Sequence, residues 1–209
     1  MTGRIIETEA CLAEGAAWLA AQEPRFAHAL AQTGPLPLRR RADGFSALLD
    51  TIVSQQVSVA SASAIWRRLQ AAGLTEAEAV ASAGEAALRD CGLSRQKIRY
   101  AQGLAEAGID YAALRDLSDA AVVARLIALP GIGHWSAEIY AMFSLGRADV
   151  FAPGDLALQE AAKGLFGLAA RPSARALRAM AMDWSPWRAV AARALWAYYR
   201  LAKQREGIR

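Results

Sequence analysis

The chain is poor in cysteine, histidine and lysine, and each scarcity excludes something. Cys11 and Cys91 are its only cysteines, with no CxxC pair and no close-set Cys/His group. That spacing excludes zinc fingers, cysteine-ligated iron–sulfur clusters and disulfide frameworks. Two lone thiols suit a reducing compartment, with at least one of them in the core. No apolar stretch approaches the ~20 residues of a membrane span. The opening MTGRIIETEACLAEG lacks the basic-then-apolar pattern of a leader. The expectation is a cytoplasmic monomer with no membrane partner. Sustained alternation of apolar and polar residues is also absent, which removes the signature of half-buried strands. Lys97, Lys163 and Lys203 are the only lysines, so arginine carries most of the positive charge. With 24 basic against 20 acidic residues the net charge is +4 and the pI about 9.4. That balance admits a nucleic-acid partner but is equally that of a protein with solvated arginine faces.

What is present is helical. The 209 residues are 55% hydrophobic, enough for one large domain or two small ones without a metal or disulfide staple. Apolar residues recur at spacings of three and four almost throughout, predicting an all-α fold of nine to eleven helices. Glu14–Ala31 reads as one helix that Pro24 splits or kinks. Thr33–Gly44 is a turn-rich linker with a basic cluster. Phe45, Leu48, Leu49, Ile52 and Val53 mark an amphipathic helix, interrupted by the polar SQQVS at Ser54–Ser58, where Ser58 is placed to cap the next. Further helices are expected over Ala120–Leu129, Trp135–Leu145, Leu156–Leu165 and Trp187–Lys203. Trp18, Trp66, Trp184 and Trp187 read as packing residues. Lys97 and Lys163 read as solvent-exposed or backbone-supporting, and His28 has no visible partner.

LPGIGHWSAEI, Leu129–Ile139, joins two of these helices through a glycine turn. Gly131 and Gly133 permit positive φ and close backbone approach. The first N–H groups of the following helix have no internal acceptor. Together with the helix dipole they form a seat for a phosphate. The arrangement resembles the helix-hairpin-helix DNA-binding motif, and the ordinary alternative is a plain αα turn. By that resemblance, backbone amides near the glycines hold a DNA phosphate. The carbonyls of Ile127, Leu129 and Ile132 would hold a structural Na+ or K+; no other cofactor is required.

Downstream, DVFAPGDLALQ places Asp155 directly before a helix. Alone, Asp155 reads as an N-cap worth about 1 kcal/mol. Gly133 and Asp155 stand 22 positions apart. A hairpin followed at that distance by a Gly/Pro-rich loop and a single aspartate resembles the helix-hairpin-helix–GPD superfamily of DNA glycosylases. SQQVSVASA, GLSRQKIRYAQGLA and PWRAVAARALW resemble further segments of that superfamily, and the subgroup they match best is DNA-3-methyladenine glycosylase II.

The resemblance implies a two-lobed helical fold with the active-site cleft between the lobes: residues 1–43 with 134–209 in one, 45–133 in the other. It implies hydrolysis of the N-glycosidic bond of an alkylated purine in damaged double-stranded DNA, through a transition state of oxocarbenium character. Asp155 would be the catalytic carboxylate, favoured as an anion by its helix start. Trp135 and Trp196 would line the base pocket by cation–π attraction, though aromatics at helical spacing also serve as core. Gln56 would intercalate where the damaged base leaves the stack, with Gln55 and Ser58 supporting the loop; the plain alternative is helix punctuation. Gly131, Gly133, His134 and Ser136 would contact the DNA. Strand-cutting relatives carry a Schiff-base lysine where this chain has Trp135, so a monofunctional enzyme is expected. Well-known bacterial members have a β-containing domain before the helical part; Met1–Asp43 is too short and too helical for it. The alternatives are a non-catalytic helix-hairpin-helix DNA-binding protein and a glycosylase of the same superfamily for another damaged base.

Overall fold

The computed structural model describes residues 3–205. Among them are twelve α-helices, two single 3₁₀ turns (Ala113–Asp116 and Ala181–Trp184) and no strand. The one β-type pairing is an isolated antiparallel bridge between Ile5 and Arg147. No helix among the described residues is long and apolar enough to cross a membrane. The chain divides into two compact units. One is Arg41–Tyr140; the other comprises the described residues up to Arg40 together with those from Ala141 onward.

Arg41–Tyr140 begins with α3 (Phe45–Ser54) and α4 (Val59–Ala71). The apolar stripe of α3 is buried, with Leu48, Leu49, Ile52 and Val53 all at 0% exposure. Ser58 caps α4 by accepting the Ser61 N–H, 3.1 Å. Two short helices follow, α5 (Ala77–Ser82) and α6 (Glu85–Asp90), then α7 (Arg95–Glu106), capped by Ser94. α7 packs on α3, α5 and α6. Next come α8 (Asp119–Ile127) and α9 (His134–Phe143), and the boundary between the units falls inside α9.

The second unit opens with α1 (Glu9–Gln22) and α2 (Pro24–Thr33). The segment expected over Glu14–Ala31 is split at Pro24, one of the two outcomes the proline allowed. Pro24 occupies the first turn of α2, where a missing N–H costs nothing, and α1, capped by Thr8, begins at Glu9, ahead of the expected start at Glu14. The helix total exceeds nine to eleven because α5 and α6, six residues each, are too brief to show a period. α10 (Leu156–Phe166), α11 (Ala174–Met180) and α12 (Arg188–Arg205) complete the unit, with α12 packed against α1, α2 and α10. Its aromatic core joins Phe26 and Trp184, edge to face at 5.2 Å, with Phe166 stacked on Trp184 at 5.7 Å.

Trp184 and Trp187 are buried as expected of packing residues. Trp18 and Trp66 are only half-buried; Trp66 lines a cavity of about 390 Å³ with Asp50 and Arg67. Cys91 is buried, and that burial pushes its thiol up. His28 does have a partner, the amide of Gln32 one turn along α2.

Candidate active site

Two sets of expected site residues lie in the Arg41–Tyr140 unit. The first is the hairpin. α8 ends at Ile127, where Ala128 closes the last turn, and α9 begins at His134. Gly131 takes φ +82°, a conformation that an L side chain rarely adopts. It also lies against Tyr100 of α7: a Cβ there would stand 2.5 Å from the ring. Ile132 is buried at 4% and anchors the turn, while Gly133 and His134 face solvent. The Leu129 carbonyl accepts the Ile132 N–H at 3.2 Å. Trp135 stands 43% exposed in the first turn of α9. Ser136, the next residue of α9, is 5% exposed.

The second set is the loop between α3 and α4. Gln56 is exposed and takes φ +56°, left-handed for a residue with a Cβ. Its neighbour Val57 is 39% exposed and Val59 is 85% exposed. Gln55 points the other way, its amide donating to the Gly131 carbonyl at 2.8 Å. Lys97 donates to the Val53 carbonyl at 2.6 Å, supporting backbone as one sequence reading had it; partial burial lowers its pKa.

The remaining candidates belong to the second unit. Asp155 is the N-cap of α10, and its Oδ1 accepts the N–H groups of Ala157 (2.9 Å) and Leu158 (3.1 Å). The same oxygen accepts the indole N–H of Trp196 at 3.2 Å. Trp196 is half-buried on α12, its ring tilted 34° against Phe143 at 5.7 Å. Behind Phe143 sits the buried guanidinium of Arg193, 4.5 Å from the ring centre. Arg193 donates to the carbonyls of Ala189 (2.9 Å) and Met142 (3.4 Å). Burial, with Arg40 and Arg39 nearby, lowers its pKa to about 10.

The loop that carries Asp155 is fastened at three points that sequence reasoning missed. Asp149 accepts from Arg188 through both Nε (2.7 Å) and Nη2 (2.8 Å), and from the Ser185 hydroxyl (2.8 Å). The buried amide of Gln159 donates to the Pro153 carbonyl at 2.8 Å. The Ala189 N–H donates to the Ala148 carbonyl at 2.8 Å. Asp149 and Arg188 both lie inside motifs that carried the resemblance; their pairing across 39 positions had no local signal. Among the described residues no cluster of His, Cys, Asp or Glu is arranged to hold a metal.

A helical chain with a glycine hairpin, a left-handed loop residue and an indole-bound carboxylate at a helix start defines a class. The model of the HhH-GPD superfamily of base excision DNA repair proteins matches residues 49–186, and this chain belongs to that family. It is similar to a DNA-3-methyladenine glycosidase from Bacillus halodurans, at 33% identity over 89% of each chain with a TM-score of 0.81. It is also similar to the Schizosaccharomyces pombe 3-methyladenine DNA glycosylase in complex with abasic DNA. That likeness is 25% identity over 88% of this chain and 95% of that one, with a TM-score of 0.75. A curated relative, DNA-3-methyladenine glycosylase 1 of Schizosaccharomyces pombe, is 28% identical over 79% of this chain and 76% of its own length. Of two other curated relatives the chain spans less, 58% and 57% of their lengths.

Proposed function

We propose that this protein is a monofunctional DNA glycosylase that hydrolyses the N-glycosidic bond of alkylated purines in duplex DNA. The observation that carries the reading is Asp155, whose carboxylate is oriented by three donors converging on Oδ1, one of them the Trp196 indole. An N-cap alone needs only the backbone donors; an indole N–H added to them builds an aromatic wall beside the carboxylate. The B. halodurans and S. pombe relatives, named for 3-methyladenine, support the substrate class.

The chemistry follows from the substrate. Alkylation at N3 or N7 gives the purine a positive charge and makes it a ready leaving group, so strong acid assistance is unnecessary. As the C1′–N bond breaks, its electron pair goes to the base and the sugar becomes oxocarbenium-like. The Asp155 carboxylate stabilises that charge and orients or deprotonates the attacking water. Before this the nucleotide must leave the stack. Gln56, exposed at the tip of its loop, fills the space, and the α9 N-terminus at Gly131–His134 holds a backbone phosphate. The exposed indole of Trp135 and the half-buried indole of Trp196 are each a face on which an electron-poor base stacks. With tryptophan at 135, no amine is supplied there for a Schiff base, so borohydride is expected to trap no protein–DNA adduct. The carbonyls of Ile127, Leu129 and Ile132 are the hard oxygens that would hold a Na+ or K+, the Leu129 carbonyl also accepting the Ile132 N–H. Such an ion would brace the turn and take no part in the reaction.

The test is Asp155→Asn on methylated DNA. Amide nitrogen and oxygen keep the capping geometry but not the charge. Release of 3-methyladenine should fall at least about 100-fold, with binding to an abasic-site duplex within about threefold of wild type. Release at the wild-type rate would refute the assignment.

A further inference from the structure

Gln56 sits in the left-handed region without being glycine, a conformation costing roughly 1 kcal/mol or more that neighbouring structure must enforce. The residues that enforce it form a closed circuit. On one side of the loop, the Lys97 ammonium of α7 donates to the Val53 carbonyl in the last turn of α3. On the other, the Gln55 amide reaches 76 positions along the chain to the Gly131 carbonyl in the hairpin turn. The third side is α7 itself. Tyr100, one turn beyond Lys97, lies under Gly131 so closely that a Cβ would collide with its ring. One turn further, a Cβ on Gly103 would stand 3.5 Å from Pro130. Gln96 donates to the Tyr100 hydroxyl at 2.6 Å and fixes that ring. Loop and hairpin are thus gauged against the same helix and tied directly to each other.

We propose that Gln55 and Lys97 are positioning residues that couple the hairpin's grip on the DNA backbone to insertion of Gln56 into the duplex. The proposal rests on the glycosylase reading above and deepens it. A loop held only by its own ends would let Gln56 relax out of the left-handed region when it meets base pairs. A loop anchored to the hairpin carbonyl and to α7 transmits the phosphate contact as a fixed reach. The coupling acts at the step in which the stack opens, not at the chemistry, and not in holding undamaged DNA, which the hairpin does alone.

The experiment compares two duplexes, one undamaged and one carrying a tetrahydrofuran abasic analogue flanked by 2-aminopurine. The full-length wild type, Gln55→Ala, Lys97→Met and Lys97→Arg are compared. The wild type should prefer the analogue duplex and change the 2-aminopurine emission as the loop enters the gap. Gln55→Ala and Lys97→Met should each lose about tenfold in that preference while binding undamaged duplex within about twofold of wild type. The double variant should lose less than the product of the singles, because both removals open one circuit. Lys97→Arg, which keeps a donor for the Val53 carbonyl, should restore most of the preference. Variants that bind both duplexes as wild type does would overturn the proposal, as would equal weakening on both, which marks a merely structural role. A wild type with no preference for the analogue would sink the glycosylase reading and the coupling with it.

Discussion

Asp155 caps α10 and, in the proposed reaction, is also the carboxylate that faces the sugar. A capping carboxylate ordinarily satisfies two or three backbone N–H groups and stops there. Here the Trp196 indole adds a third donor to Oδ1, and the side chain's orientation is no longer a by-product of helix initiation. Trp196→Phe should separate the duties: the ring stays against Phe143, the cap stays on Ala157 and Leu158, and only the N–H is lost. A hydrogen bond to a charged group is worth about 1.5–3 kcal/mol. If that bond matters in the transition state, the single-turnover rate of base release should fall about tenfold or more while the melting temperature barely moves. An unchanged rate would reduce Trp196 to a passive wall. Gly131 is constrained in a different way. Gly131→Ala pairs a φ of +82° with a Cβ 2.5 Å from Tyr100, so urea unfolding should show a loss of about 1–3 kcal/mol. Adding Tyr100→Ala should relieve the collision but not the φ, recovering part of the loss.

The loop from Arg147 to Gly154 has little regular structure, and its position comes from side chains outside it. The Asp149–Arg188 pair is bidentate and part-buried, at 20% and 25% side-chain exposure. That is better geometry than an exposed pair offers, though it is too wet for the full cost of breaking a buried one. Arg188→Met should therefore cost about 1–3 kcal/mol in thermal unfolding. It should lower kcat more than it raises KM, since the loop delivers Asp155; a loss confined to KM would show that the pair serves DNA binding instead. These fastenings also mark what the sequence could reveal. Asp155 and Ser58 were legible as caps because a cap is decided within three or four residues. The hairpin was legible because its glycines answer a local backbone demand. The tie from Lys97 to Val53 crosses 44 positions, and that from Gln55 to Gly131 crosses 76. No periodicity announces a side chain that meets a distant carbonyl. Pro24 was ambiguous because proline both breaks a helix and starts one well.

For the molecule as a whole, the question is how a net charge of only +4 would support the proposed binding to a polyanion. Several of the arginines are committed elsewhere. Arg193 is buried, and Arg115 pairs with Asp43, Arg25 with Glu23, Arg171 with Glu160, Arg89 with Glu85 and Arg4 with Glu14. A hairpin that holds a phosphate by backbone N–H groups and a helix dipole adds affinity without a full cationic side chain. A glycosylase that grips this way should release few counterions. The logarithm of its binding constant for an abasic-analogue duplex should fall against the logarithm of salt with a slope of roughly −2 to −4, since each neutralised phosphate contributes about −0.9. The undamaged duplex should show nearly the same slope, because the added preference for damage comes from loop insertion and aromatic stacking, which are insensitive to salt. Fluorescence anisotropy across roughly 50–200 mM salt measures both slopes. A value steeper than about −6 would mean that many free arginines clamp the strands, and the hairpin would lose its place as the principal grip. A preference for the abasic analogue that disappears with salt would show that damage is recognised through charge, which the partly exposed Trp135 and the left-handed Gln56 argue against.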